Sequence, residues 1–187
     1  MASVGKARWR RLLVSSLVML VVAAAAPVAA SKGDATKLPL KGDLSGRLVG
    51  FGPVVGDRCD DSPDGKVAWA VTSFEGWGNL THLGNAHVFA EHCSYSADGT
   101  PETADGTYGE GELTIVAANG DILRGTYSDG VSLSPPPLVE FQDSFTFVSG
   151  GTGRFATASG GGIEFGIADV SDGSAAWRME GVISYKR

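Results

Sequence analysis

Two carboxylic acids, Glu75 and Asp143, occupy positions in this chain that could support proton-transfer chemistry. Glu75 lies two residues before Trp77, and Asp143 lies midway between Phe141 and Phe145, so each shares the apolar alternation of a β-type run. A carboxyl group held among apolar side chains has its ionised form disfavoured, which raises its pKa toward the range useful for general acid–base catalysis. The same groups at a barrel mouth would be hydrated or would make ordinary hydrogen bonds. Both interpretations stay open at this point.

Three histidines, His82, His87 and His92, recur at five-residue intervals. On one regular strand, His87 would point to the opposite face from the other two. A zinc site needs three or four ligands converging at about 2.0 to 2.3 Å, and no His-x-His pair or second cluster supplies them. The sequence therefore predicts no metal site, and it indicates no cofactor.

The two cysteines, Cys59 and Cys93, are predicted to form a disulfide, since an oxidising compartment favours pairing. Cys93 follows His92 directly, but adjacent strand residues face apart, so the two cannot act as a catalytic dyad. No serine lies in a Gly-x-Ser-x-Gly frame that would mark a hydrolase nucleophile.

The elements that must position these residues are eight short β-type runs, with no stretch at helical spacing. Turns rich in Gly, Asn and Asp separate the runs, and such short connections make sequential strands antiparallel. Closing the array removes exposed hydrogen-bonding edges. We therefore predict an all-β fold, a single eight-stranded antiparallel up-and-down β-barrel. The predicted strands are 43–51, 67–77, 86–95, 107–117, 122–127, 138–148, 161–170 and 174–185.

Alternation within the runs predicts which side chains face the barrel interior. An eight-stranded interior is wide enough either to be filled by side chains or to hold one small ligand. The aromatic residues placed on the inner face are therefore either core packing or the lining of a ligand cavity. These candidates are Trp69, Trp77, Phe145, Phe165 and Trp177.

The first thirty residues read as a secretory signal peptide. A basic segment precedes the apolar run 12–26, and Val28-Ala29-Ala30 forms a small-residue cleavage site. We expect domain limits of 1–30 for the signal peptide, 31–42 for a flexible segment and 43–187 for the barrel. The protein is thus predicted to be secreted, without stable membrane insertion after cleavage.

Removal of the signal peptide leaves 11 Lys and Arg against 21 Asp and Glu, a net charge near −10. An acidic surface without a basic stripe repels phosphate backbones, which argues against nucleic acid as a partner. The composition, rich in alanine and glycine, is compatible with a bacterial source of high GC content.

The segment from Phe145 to Ala156 contains the string Gly150-Gly151-Thr152-Gly153-Arg154-Phe155 between two strands. It lacks the ending of a phosphate-binding loop and predicts a turn, then a single helical turn whose Phe155 plugs the core. In that position it resembles the allene oxide cyclase and dirigent proteins, which are eight-stranded antiparallel barrels. Further strings, Thr81-His82-Leu83-Gly84 and Ala118-Asn119-Gly120-Asp121, resemble uncharacterised exported bacterial proteins of the same barrel group. The resemblance implies the fold but matches no reactive position of those families.

Three functions are compatible with these observations. The one we favour is a non-enzymatic exported barrel that binds a small apolar ligand or acts as a rigid surface module. The alternative is a cyclase or isomerase that confines an apolar substrate, a fatty-acid epoxide or a phenolic, with Glu75 or Asp143 handling a proton. A further alternative is a protein interaction module that uses the polar outer face and the loop Pro135-Pro136-Pro137.

Overall fold

The computed structural model describes residues 36–60 and 64–186, so the predicted signal peptide lies outside the described residues. Eight strands form one closed barrel in which each strand pairs antiparallel with its neighbours in the chain and β1 pairs with β8. The predicted architecture is therefore confirmed. The strands are β1 Leu38–Pro53, β2 Val67–Leu80, β3 Gly84–Ser96, β4 Ala104–Val116, β5 Ile122–Ser132, β6 Leu138–Val148, β7 Ser159–Asp169 and β8 Ser174–Ser184.

The first strand begins at Leu38, inside the segment 31–42 that the sequence assigned to a flexible region. Its early residues pair with β8, from Leu38 opposite Ile183 to Gly42 opposite Met179. The Leu40 side chain is fully buried. This pairing closes the barrel, which is why the strand extends beyond the turn signals used to place its start.

One end of the barrel, here called the closed end, carries the β2–β3, β4–β5 and β6–β7 connections. The predicted glycine turn lies in the β6–β7 connection and leads into the short 3-10 helix Gly153–Phe155. Phe155 is fully buried and belongs to the same hydrophobic core as Leu80, Leu123 and Ile183. The prediction that Phe155 plugs the core is confirmed.

The Arg154 side chain holds the Phe155 segment in place from the outer side. Its guanidinium donates a 2.6 Å hydrogen bond to the His82 carbonyl oxygen and lies over the rings of Phe155 and Tyr185, 4.8 and 5.4 Å from their centres. A cation over an aromatic face is attracted by the ring quadrupole. The β2–β3 and β6–β7 connections are thereby joined across the closed end.

The opposite end, here called the open end, carries the β1–β2, β3–β4, β5–β6 and β7–β8 connections. The predicted disulfide joins Cys59 of the β1–β2 connection to Cys93 of β3. Next to it, the Arg58 side chain donates hydrogen bonds to the Glu91 carboxylate and to the Glu110 carbonyl oxygen. These contacts attach the connection to the outer surface of β3 and β4.

Alternation assigned the inner face of β7 wrongly. Ile163, Phe165 and Ile167 are exposed on the outside, and the inner positions carry small residues and Glu164. Bulky side chains from the neighbouring strands occupy the space in front of β7: a Cβ added at Gly166 would collide with Trp177 and lie 2.8 Å from the Phe141 ring. Small residues are therefore required on the inner side of this strand.

The inner face of β2 was also partly misassigned. A β-bulge between Ala68 and Ala70 interrupts the alternation, so that Trp69 and Thr72, three residues apart, both line the interior. Beyond the bulge the parity is reversed relative to the prediction, and Trp77 lies on the outer face with 47% of its surface exposed. A bulge adds one residue to a strand and thus shifts every following side chain to the other face.

Among the described residues, no helix is long and apolar enough to span a membrane.

Candidate functional site

The interior of the barrel is filled toward the closed end and hollow toward the open end. The cavity has a volume of about 490 Å³, within the usual range for small-molecule sites. Aromatic side chains form most of its apolar wall, with alanines and glycines between them. The principal aromatic residues are Phe51, Trp69, Phe74, Phe141 and Trp177.

Five consecutive strands contribute titratable side chains to this cavity. One from each strand belongs to a polar cluster within the apolar wall, which consists of His92 on β3, Tyr108 on β4, Tyr127 on β5, Asp143 on β6 and Glu164 on β7. Tyr95 of β3 and Asp169 of β7 also line the cavity. Because inward-facing residues on neighbouring strands lie side by side, this arrangement places one continuous polar band on a single wall.

Asp143 lies in the band between Tyr127 and Glu164. The Tyr108 hydroxyl donates a 2.9 Å hydrogen bond to its Oδ2 atom, whereas its buried Oδ1 atom has no hydrogen-bond partner among the described residues. The residue is 4% exposed. Burial raises the pKa of Asp143 to about 7, against the lowering effect of the Tyr108 hydrogen bond. Asp143 therefore faces the barrel interior, as the alternation of its strand predicts, and its role there stays a prediction.

Glu164 lies directly opposite Asp143 in the β6–β7 register. Burial, followed by the nearby charge of Asp143, raises the pKa of Glu164 well above its ordinary value. Two carboxyls facing each other across adjacent strands repel when both are ionised, so the pair retains a proton more strongly than isolated acids would. Sequence analysis missed Glu164 because it predicted that the larger neighbours, Ile163 and Phe165, face the barrel interior. The available signal was a single acid on a face made otherwise of glycine and alanine.

His92 completes the band on the side of β3. Its Nδ1 atom lies 3.0 Å from the Tyr127 hydroxyl, and its ring stacks on that of Tyr108 with centres 4.3 Å apart. Burial, with a smaller contribution from the Arg58 charge, lowers the pKa of His92 to about 3. The imidazole is therefore neutral at physiological pH. Burial also raises the pKa of the Tyr108 and Tyr127 phenols, so neither ionises there.

Glu75, the other predicted proton handler, lies outside the cavity. On the outer face of the barrel, its Oε1 atom lies 2.8 Å from His87 Nε2. Its Oε2 atom lies 3.6 Å from the Arg47 guanidinium. The His87 ring stacks on Trp77, with ring centres 4.6 Å apart. Glu75 thus belongs to a surface group of charged and aromatic side chains and does not meet Asp143.

The five aromatic cavity candidates separate into three groups. Trp69 and Trp177 line the cavity. Phe145 is buried in the packed core with 2% exposure. Trp77 and Phe165 lie on the outer face for the reasons given above, so the prediction that they line the barrel interior was wrong.

The three histidines are dispersed. His82 lies in the β2–β3 turn with a φ of 69°, His87 faces outward, and His92 faces inward. Within the ranges 36–60 and 64–186, no group of three or more His, Cys, Asp or Glu side chains is arranged to hold a metal ion.

Comparison with known proteins leaves the barrel without an assigned family. No family model matches the chain, and no curated protein or solved structure matches it significantly.

Proposed function

We propose that this protein is an exported barrel that binds one small, largely apolar ligand in its open-end cavity. The observation that carries the proposal is the cavity itself, about 490 Å³ with a predominantly aromatic wall and a few convergent polar groups. Protein interiors are normally close-packed, so an unfilled space of this size is unusual in a small domain. The disulfide supports export, because such bonds persist in oxidising compartments.

A matched pair of substitutions on β8 tests the binding proposal. Ala175 lines the cavity, and its neighbour Ala176 is exposed on the outer face. Ala175→Leu fills part of the cavity, whereas Ala176→Leu adds the same atoms outside it. The probe is N-phenyl-1-naphthylamine, a neutral apolar dye whose fluorescence rises on transfer from water.

The expected result is saturable one-to-one binding by the wild type, weakened at least about tenfold by Ala175→Leu and unchanged by Ala176→Leu. Circular dichroism checks that both variants are folded. Absence of saturable binding by the wild type, or equal loss in both variants, contradicts the proposal.

A second candidate, a cyclase or isomerase acting on a confined apolar substrate, is favoured by one specific observation. Asp143 combines a position in the cavity wall with a pKa of about 7, which suits a group that gives and takes a proton. The resemblance to allene oxide cyclase and dirigent proteins suggests an unsaturated epoxide or a phenolic as substrate. Chiral chromatography of products formed from an unsaturated fatty-acid epoxide tests this candidate. Asp143→Asn should abolish turnover and Glu75→Gln should leave it intact, while turnover retained by Asp143→Asn excludes it.

A further inference from the structure

We infer that the ligand of this cavity is an organic cation, an amine with an apolar or aromatic body, whose nitrogen lies against Glu164 and Asp143. This inference rests on the proposed function and specifies the chemical class of its ligand. It follows from the signs of charge in the cavity, the unpartnered carboxyl oxygen and the aromatic wall.

The charged groups that line the cavity are all acidic. They are Asp143 and Glu164 on the wall and Asp169 near the open end, and none of the described lining residues is Lys or Arg. Arg58, whose charge acts on His92, is engaged by the Glu91 carboxylate and by carbonyl oxygens. A carboxylate ligand would therefore find no cationic side chain among the described lining residues, whereas an ammonium group would lie beside two carboxyl groups in a site of low dielectric.

The protein itself leaves the acidic pair without a counter-charge. Asp143 is buried with its Oδ1 atom unpartnered among the described residues, and Glu164 faces it in the β6–β7 register. Leaving a buried carboxyl oxygen without a partner costs free energy. A bound ammonium supplies both the hydrogen-bond donors and the positive charge that this pair lacks.

The neighbouring groups provide neutral surroundings for a cation. His92 is uncharged near neutral pH, and the Tyr108 and Tyr127 phenols face the pair in their protonated forms. Trp69, Phe74 and Trp177 add aromatic faces to the same cavity. Aromatic faces attract organic cations, and an acidic protein raises the local concentration of cations near its entrance.

Three indoles with the same two-carbon linker provide the test: tryptamine as the cation, tryptophol as the neutral compound of matched size and indole-3-propionate as the anion. Isothermal titration calorimetry at pH 7 should show tryptamine binding at least about tenfold more tightly than tryptophol, and the propionate binding least. Because the cation favours the doubly ionised acidic pair, tryptamine binding should also release protons, seen as a dependence of the apparent enthalpy on buffer ionisation enthalpy.

The variants Asp143→Asn and Glu164→Gln should each reduce the tryptamine preference to less than about threefold while retaining tryptophol binding, which shows that the cavity is intact. Glu75→Gln, on the outer face, is the matched control and should keep the full preference. Equal affinities for the three indoles, stronger binding of the propionate, or a preference that survives in both cavity variants overturns this inference and leaves the proposed function standing. Failure of the neutral dye to bind overturns the proposed function, and this inference with it.

Discussion

The two ends of this barrel are built from the same eight strands, yet one is packed and the other is hollow. At the closed end, Phe155, Leu80 and Leu123 are fully buried and belong to one hydrophobic core. At the open end, alanine, glycine and polar residues lie between the aromatic side chains of the wall, and a cavity of about 490 Å³ remains. The comparison shows that strand topology alone does not determine whether a barrel encloses a ligand site; the sizes of inward-facing side chains do.

The largest effect is expected from removing the plug of the closed end. Phe155→Ala should lower the free energy of unfolding by about 3 to 5 kcal/mol, because a fully buried aromatic ring is replaced by a void. Phe165→Ala removes a ring that is 39% exposed on the outer face and should cost much less. Urea denaturation of both variants measures the difference. Similar losses would mean that Phe155 does not anchor a packed closed end.

At the open end, stability should depend on the cross-link more than on packing. Replacing both Cys59 and Cys93 with serine releases a loop whose ends are 34 residues apart. The chain-entropy model gives a loss of about 3 to 4 kcal/mol. Denaturation of wild type and variant, each with and without reductant, checks the assignment, since reductant should destabilise only the wild type. An unchanged midpoint in the double variant would contradict it.

The buried acid should make stability fall as the pH rises. The pKa of Asp143 is higher in the folded protein, about 7, than its ordinary value of 3.8, so the folded state binds more protons between those values. The stabilising contribution is present below about pH 4 and is lost progressively as the pH rises through 7.

The pKa difference corresponds to at most about 4 kcal/mol, and water entering the cavity should reduce the observed change to about 2 kcal/mol. Denaturation midpoints measured from pH 4 to pH 9 test this, with Asp143→Asn as the variant in which the dependence should be weaker, while the part due to Glu164 stays. A wild-type curve no steeper than that of the variant would show that Asp143 ionises normally.

The smallest effect on stability is expected from breaking the contact between Glu75 and His87 on the outer face. Glu75→Gln breaks the contact with His87, which lies in a partly exposed surface group, and should change the free energy of unfolding by less than about 1 kcal/mol. The same denaturation assay applies. A loss comparable to that of Phe155→Ala would show that the outer surface contributes far more to stability than its exposure indicates.

The sequence was sufficient to predict the barrel because turn residues bracket each strand and short connections leave few topologies. Strand β6 illustrates this: its predicted and observed limits, Leu138–Val148, coincide, and its alternation correctly placed Phe141, Asp143 and Phe145 indoors. The disulfide followed from compartment and count alone.

The site was only half predictable, because its other half depends on which side of a strand faces inward. In β7 the inner side is set by the Trp177 and Phe141 rings that lie in front of it, and in β2 it is set by a bulge. Neither influence is local in sequence. Alternation reveals that two faces differ, but the contacts across the lumen decide which face is enclosed, and Glu164 was missed for that reason.

The packing of the closed end has a kinetic consequence for a molecule bound in the cavity. With Phe155 and Leu83 buried at the closed end, the described residues leave the cavity open toward the other end, so a bound molecule would leave by the route it entered. A bound molecule would therefore prevent a second one from entering until it has dissociated. Such a dead-end chamber suits carriage of one molecule or rearrangement within one molecule, and it disfavours chemistry in which two separate reactants must arrive in turn.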